Sequence, residues 1–261
     1  YDAENDNLAI GHSALAGSVA GGEYNVAIGN YSLDALTSGD FNTAIGYISG
    51  SALTTGSNNT AVGNQSLENH TTGSECVGVG SGSLNANTTG SYNTALGRAS
   101  LSSCDTESHN LAIGYLALGG SIAGGEYNVA IGNYSLDALT SGDRNTAVGY
   151  DAGTALTTGL GNAFFGHSAG KSMTDDSQAT LIGNYAGQAA TVGQLTGVGY
   201  GALYAVTTGL RNTAVGYDAG NNFDAENDNL FVGYAAGSGA INGGEYNVAV
   251  GNYTLDALTS G

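Results

Sequence analysis

The apolar and polar positions of this chain recur on a short period. Take as position zero the glycine that closes each Asn-x-Ala-Ile/Val-Gly unit. These glycines are Gly11, Gly29, Gly46, Gly63, Gly80, Gly97, Gly114, Gly132, Gly149, Gly166, Gly183, Gly199, Gly216, Gly233 and Gly251. Fifteen repeats result, spaced 16 to 18 residues apart and most often 17. The residue before the Gly is always apolar, and the one before that is mostly Ala. Three after the Gly stands Ala, Ser or Thr, and four after stands Leu or Gly. A Thr-Thr-Gly or Thr-Ser-Gly element commonly ends at position ten.

Runs such as Asn42-Thr43-Ala44-Ile45-Gly46-Tyr47 are short and carry a β-branched residue suited to a pleated surface. The Thr-Thr-Gly elements supply a turn. A second short strand is expected over the small residue and Leu or Gly that follow the closing glycine. Two strands and two turns in about 17 residues make one coil. Stacked coils lie about 4.8 Å apart. A helical solenoid needs about 30 to 45 residues per repeat, and a Gly in each element disfavours it further. The sequence therefore predicts an all-β fold: a parallel β-solenoid of about fifteen coils, running as one continuous segment over residues 1–261 and expected to be an internal piece of a longer chain.

Stacking gives the Asn column a role. Four before the closing glycine stand Asn7, Asn25, Asn42, Asn59, Asn93, Asn110, Asn128, Asn145, Asn162, Asn212, Asn229 and Asn247; Cys76, Ala179 and Leu195 interrupt the series. Amides in register can bond along the stack, and Asn also favours the turn before a strand. In Asn-Thr-Ala-Ile-Gly-Tyr, neighbours face opposite sides of the strand. The Ala/Gly face suits a narrow interior. The Thr, Ile and Tyr face is uncharged too, and strands bare of charge on both faces are usually covered on both. That points to a homo-oligomer, a trimer first, or to an end-to-end filament. Residues 21–40 and 124–143 are the same twenty-residue string, and 243–261 nearly repeat it, which suits a part whose task is length.

Composition narrows the classes. Lys and Arg total 4 against 22 Asp and Glu, a formal net charge of −18. Such a surface repels phosphate backbones, so nucleic acid is not an expected partner. No apolar run approaches the roughly 20 residues that span a bilayer, so this segment is expected not to insert into membranes. The 45 Gly residues come without Pro and without collagen's three-residue period.

The units NVAIGNYSLDALTSGD, NTAVGYDAGTALTTG and NTALGRASLSS resemble repeats in the head domains of trimeric autotransporter adhesins. They are at least as similar to repeats of phage tail-fibre and large surface-fibre proteins. The resemblance covers essentially the whole chain. It implies a left-handed β-roll assembled as a trimer, located outside the cell, on a cell surface or in a virion fibre, and binding host-surface proteins or glycans. The coil here, at about 17 residues, is longer than the adhesin-head repeat.

Candidate chemistry is sparse. Glycine strings such as Gly78-Val79-Gly80-Ser81-Gly82 lack the helix and Lys of a phosphate loop. Tyr47, Tyr115, Tyr150, Tyr200, Tyr217 and Tyr234, with His12 and His167, occupy the position after the closing glycine and read as an exposed stripe. Such a stripe serves packing or contacts with a sugar or protein. Asp2-Ala3-Glu4-Asn5-Asp6 and Asp224-Ala225-Glu226-Asn227-Asp228 read as solvated acidic turns, with calcium as the alternative. Sequons stand at Asn30, Asn58, Asn64, Asn69, Asn87, Asn133 and Asn252, where a glycosylating host would attach sugars. Cys76 and Cys104 suit either a disulfide or two buried thiols. Catalysis needs one unique constellation, and the repeats offer none. The expected function is a structural fibre component with adhesive or recognition duty and no enzymatic activity or cofactor. A glycan- or ice-binding solenoid and a subunit of a glycosylated extracellular filament are the competing readings.

Overall fold

The computed structural model describes residues 6–239 and 243–257. The chain forms two compact units, Tyr1–Asn128 and Val129–Gly261. Unit 1 holds seven strands: β1 (Leu8–Ile10), β2 (Val26–Ile28), β3 (Thr43–Ile45), β4 (Thr60–Val62), β5 (Val77–Val79), β6 (Thr94–Leu96) and β7 (Leu111–Ile113). Unit 2 holds eight: β8 (Val129–Ile131), β9 (Thr146–Val148), β10 (Ala163–Phe165), β11 (Thr180–Ile182), β12 (Thr196–Val198), β13 (Thr213–Val215), β14 (Leu230–Val232) and β15 (Val248–Val250). Within each unit the strands pair in chain order, parallel and in matching register, as in Thr43↔Thr60, Ala44↔Ala61 and Ile45↔Val62. There is no helix among the described residues. The fold is the expected parallel β-solenoid, one strand per repeat.

The interior follows from the alternation. The middle residue of each strand turns inward: Ala27, Ala44, Ala95 and Ala112 in unit 1, and Ala130, Ala147, Phe164 and Phe231 in unit 2, are fully buried. The flanking Thr, Val and Ile residues lie partly or fully open. Leu at position four and an apolar residue at position seven, such as Leu33 and Leu36, complete the core.

The expected second strand does not form. The stretch after the closing glycine is a series of turns with alternate left-handed residues. In one coil of unit 1, Tyr31 has φ 60°, Leu33 48° and Phe41 56°. The left-handed conformation costs an L-residue roughly 1–2 kcal/mol. Its return is that peptide planes flip. The Tyr31 N–H donates to the His12 carbonyl of the preceding coil, and the Leu33 N–H donates to the Ser49 carbonyl of the following one. Backbone groups thus bond to both neighbours even in the turns, as buried backbone must. The flip also breaks the two-residue alternation, so adjacent Ser32 and Leu33 both point inward.

The glycine at position zero is required twice over. Gly29 has φ +136°, and a Cβ there would stand 2.2 Å from the Gly46 carbonyl oxygen of the next coil. The same geometry recurs at Gly46, Gly149 and Gly199. A side chain in this column would push the coils apart.

Candidate functional site

The buried Asn column holds the coils together. In unit 1, the Asn42 backbone N–H and Nδ2 both donate to Oδ1 of Asn25, at 2.8 and 3.1 Å, and Nδ2 also donates to the Gly56 carbonyl at 2.9 Å. Asn59 repeats the pattern on Asn42 and Gly73. Asn7, Asn25, Asn93, Asn110 and Asn128 continue the column in unit 1. In unit 2, Asn162 stands on Asn145, Asn229 on Asn212, and Asn247 on Asn229. A carboxamide such as that of Asn42 or Asn59 therefore bonds along the stack and closes the turn of its own coil. The Cys76 and Ala179 backbone N–H groups donate to Oδ1 of Asn59 and Asn162, but neither residue offers an amide oxygen to the next coil.

The tyrosines form ladders on the outside. In unit 2 eight rings follow one another: Tyr134, Tyr150, His167, Tyr185, Tyr200, Tyr217, Tyr234 and Tyr253, with successive centroids 4.9 to 5.8 Å apart. Tyr200, Tyr217 and Tyr234 stack nearly parallel, with interplanar angles of 9° and 7°. In unit 1 the ladder is shorter: His12, Tyr31 and Tyr47 meet edge to face. Tyr115 lies under the Arg98 guanidinium, 5.5 Å from its ring centre. Tyr47, Tyr150, Tyr200, Tyr217 and Tyr234 are exposed, while Tyr115 is half-buried.

Sequence reasoning confined this stripe to one column and missed Tyr31, Tyr134, Tyr185 and Tyr253. The signal was the dipeptide Asn-Tyr. Where Asn follows the closing glycine, its Oδ1 staples the preceding coil, as Asn30 does to His12 and Asn184 to His167. The ring then comes from the next residue. A further ring column at the left-handed position before the Asn ladder, Tyr24–Phe41 and Tyr92–His109–Tyr127, was also missed. In the parallel stretches ring faces cover one another. What they offer outward is edges and hydroxyls. The Tyr200 phenol is raised above its ordinary value by partial desolvation and then by the Tyr217 and Tyr185 phenols. Tyr234 is raised foremost by Tyr253.

A groove runs beside the ladder in each unit. In unit 2 it measures about 530 Å³ and is lined by Tyr185, Gln188, Tyr204, Asp218, Asn221 and Asn222 among others. In unit 1 a groove of about 560 Å³ lies against Tyr31, Asp34, Tyr47, Ser51, Glu68 and Asn69. Both occupy the same stretch of the repeat, between the ring ladder and positions five and six.

The acidic turn at 224–228 differs from the expected solvated one. Glu226 is buried and accepts from the N–H groups of Asp224, Ala225 and Gly243, at 2.9 to 3.0 Å. Asp228 is bound in bidentate fashion by Arg211, which holds its carboxyl below the ordinary value. These carboxylates are occupied within the fold instead of forming an open cation cage. Glu107, not singled out from sequence, does the same for Asp105, Thr106 and Gly124 in unit 1. Both replace the Gly of the Thr-Thr-Gly turn and brace a following 18-residue coil. Among the described residues no group of three or more His, Cys, Asp or Glu could hold a metal ion. Asp2, Glu4 and Asn5 of the first acidic turn lie outside the described residues.

Of the sequons, Asn30, Asn58, Asn64, Asn69, Asn133 and Asn252 are exposed. Asn87 is not a glycosylation site in this fold: it is fully buried, and its side chain both accepts from and donates to the Gly90 backbone. Cys76 and Cys104 are free and buried. No helix among the described residues is long and apolar enough to cross a membrane. The chain matches no family model, no curated protein and no solved structure.

Proposed function

We propose that the chain is a structural component of an extracellular fibre or surface appendage, assembled as a homo-oligomer, a trimer first, and acting passively. The observation that carries this reading is the use of the same inter-coil bonds in coil after coil. Asn carboxamides, closing glycines and turn N–H groups are all committed to the next repeat. Buried polar groups spent in this way build stiffness in nearest-neighbour steps, and few remain for catalysis. Repeated surface groups then sum many weak contacts into one firm attachment. The resemblance to adhesin-head and tail-fibre repeats supports the same reading.

The uncharged outer strand face, with Ile10, Ile45 and Leu96 open in unit 1 and Phe165, Ile182 and Val215 open in unit 2, supports the oligomer. Electron microscopy of the native assembly, averaged along its length, tests it. Three chains about one axis with these residues at the interface is the expected image. Isolated single chains would reject the oligomer, and the absence of any extended assembly would reject the fibre.

A further inference from the structure

The groove of unit 2 has the chemistry of a ligand site, and its lining narrows the ligand. We propose that the groove bounded by Tyr185, Tyr204, Asp218 and Asn221 binds a neutral saccharide. This deepens the recognition role above and rests on that reading only for its biological setting.

Four observations carry it. First, its volume, about 530 Å³, falls within the roughly 300–1,000 Å³ of small-molecule clefts. Second, its polar lining consists of planar amides and one carboxylate, from Gln188, Asp218, Asn221 and Asn222. Such groups donate and accept at fixed angles, which suits the hydroxyls of a pyranose ring. Asn221 Oδ1 is buried with no hydrogen-bond partner. A buried acceptor left unpaired is costly, and turning the half-buried Asn221 carboxamide out to a ligand hydroxyl would recover the missing bond. Third, Tyr204 stands in the groove half exposed, and no aromatic ring among the described residues stacks on it. Unlike Tyr217, stacked on both sides, it keeps a ring face for the apolar face of a sugar. Fourth, no Lys or Arg lines the groove, and the chain carries a net charge of −18. Anionic sugars are therefore repelled.

Gly201 keeps the groove open. It has φ +62°, and a Cβ there would stand 2.2 Å from Asp218 Oδ1. The backbone conformation itself tolerates Ala, since Ala99 and Ala235 hold the same position with φ of 52° and 49°. Gly201→Ala should therefore displace the Asp218 carboxylate while leaving the coil intact.

The test is titration calorimetry of the full chain with maltotriose, cellotriose and mannotriose, and with sialyllactose as the anionic probe. Binding of at least one neutral trisaccharide is expected, weakened about tenfold or more by Tyr204→Ala, Asn221→Ala and Gly201→Ala. Sialyllactose should give no heat. Failure of all three neutral sugars, binding indifferent to all three substitutions, or equal binding of sialyllactose overturns the proposal. Circular dichroism confirms that each variant keeps its fold. Electron microscopy of the same preparation separates the two readings: fibres that bind no sugar sink the groove alone, and a sugar-binding chain that forms no fibre sinks the fibre alone.

Discussion

Phe231 lies against Gly237 so closely that a Cβ on the glycine would come within 2.2 Å of the ring. Gly220, one coil earlier, faces the other side of the same ring at 2.9 Å. Phe164 is flanked in the same way by Gly153 and Gly170, and Leu181 packs over Gly187. Behind Ala27, Ala95 and Ala130 the next position four is Leu33, Leu101 or Leu136 instead, while Ala44, Ala147 and Ala214 are followed by Gly50, Gly153 and Gly220, whose space is filled by Leu33, Phe164 and Phe231 of neighbouring coils. Large and small residues thus trade places across two columns to keep the interior at constant volume.

This exchange predicts a coupled pair. Gly237→Leu alone should destabilise unit 2 by roughly 2–4 kcal/mol through overpacking. Adding Phe231→Ala restores the Ala/Leu pairing used elsewhere and should recover about 1–3 kcal/mol of that loss. A double-mutant cycle by urea denaturation measures the coupling, and strict additivity would reject the exchange.

The period, the strand residues, the closing glycines and the Asn column were legible in the sequence because each recurs with one residue type and one local reason. The turns were not. Tyr31 and Leu33 look like strand residues, and only bonds to coils on either side hold them at φ 60° and 48°. Glu226 looked solvated because its partner Gly243 is 17 residues away in sequence. The ring ladder of unit 2 was half visible, since Tyr185 and Tyr253 enter it from a different column.

The Asn ladder should be worth more than a turn preference. Asn42→Ala removes the acceptor for the Asn59 N–H and the donor to the Gly56 carbonyl. Two buried groups left unpaired cost roughly 2–4 kcal/mol. Asn64→Ala, at an exposed position outside the left-handed backbone region, should stay within about 0.5 kcal/mol. Equal midpoints for the two variants in urea would show that the ladder contributes nothing.

The cysteines should be inert in the native state. Burial, foremost, pushes the Cys76 thiol up to about 11 and raises Cys104 also, assisted by the Glu107 charge. Thiolate is the reactive species, so iodoacetamide at pH 8 should modify neither residue until urea is added. Rapid native alkylation of either, read by intact mass, contradicts the buried placement.

Acid should weaken unit 1 in two steps. His70 stands at position seven, where the two preceding coils have Leu36 and Leu53, and its buried ring nitrogens lie beside the Gly73 and Asn87 backbone without a hydrogen bond of good geometry. Burial lowers its pKa from 6.5, so the folded state holds it neutral while the unfolded chain takes up a proton. Stability is therefore complete above about pH 6.5 and declines as pH falls below that value toward the folded pKa. Glu107 gives the second step. Burial pushes its carboxyl up, but the backbone N–H groups of Glu107, Gly124, Asp105 and Thr106 together bring it below 4.5. Its contribution is present above about pH 4.5 and is lost as pH falls through the lower folded value. His70→Leu matches the side chain of Leu36 and Leu53 in the same column. It should remove the upper step and raise stability by about 1–3 kcal/mol, since two stranded polar atoms disappear. Glu107→Gln should leave the upper step and flatten the lower one. Urea denaturation at pH 7.5, 5.5 and 3.5 distinguishes the variants. If His70→Leu loses as much stability between pH 7.5 and 5.5 as the parent chain, the histidine is not the group that titrates there.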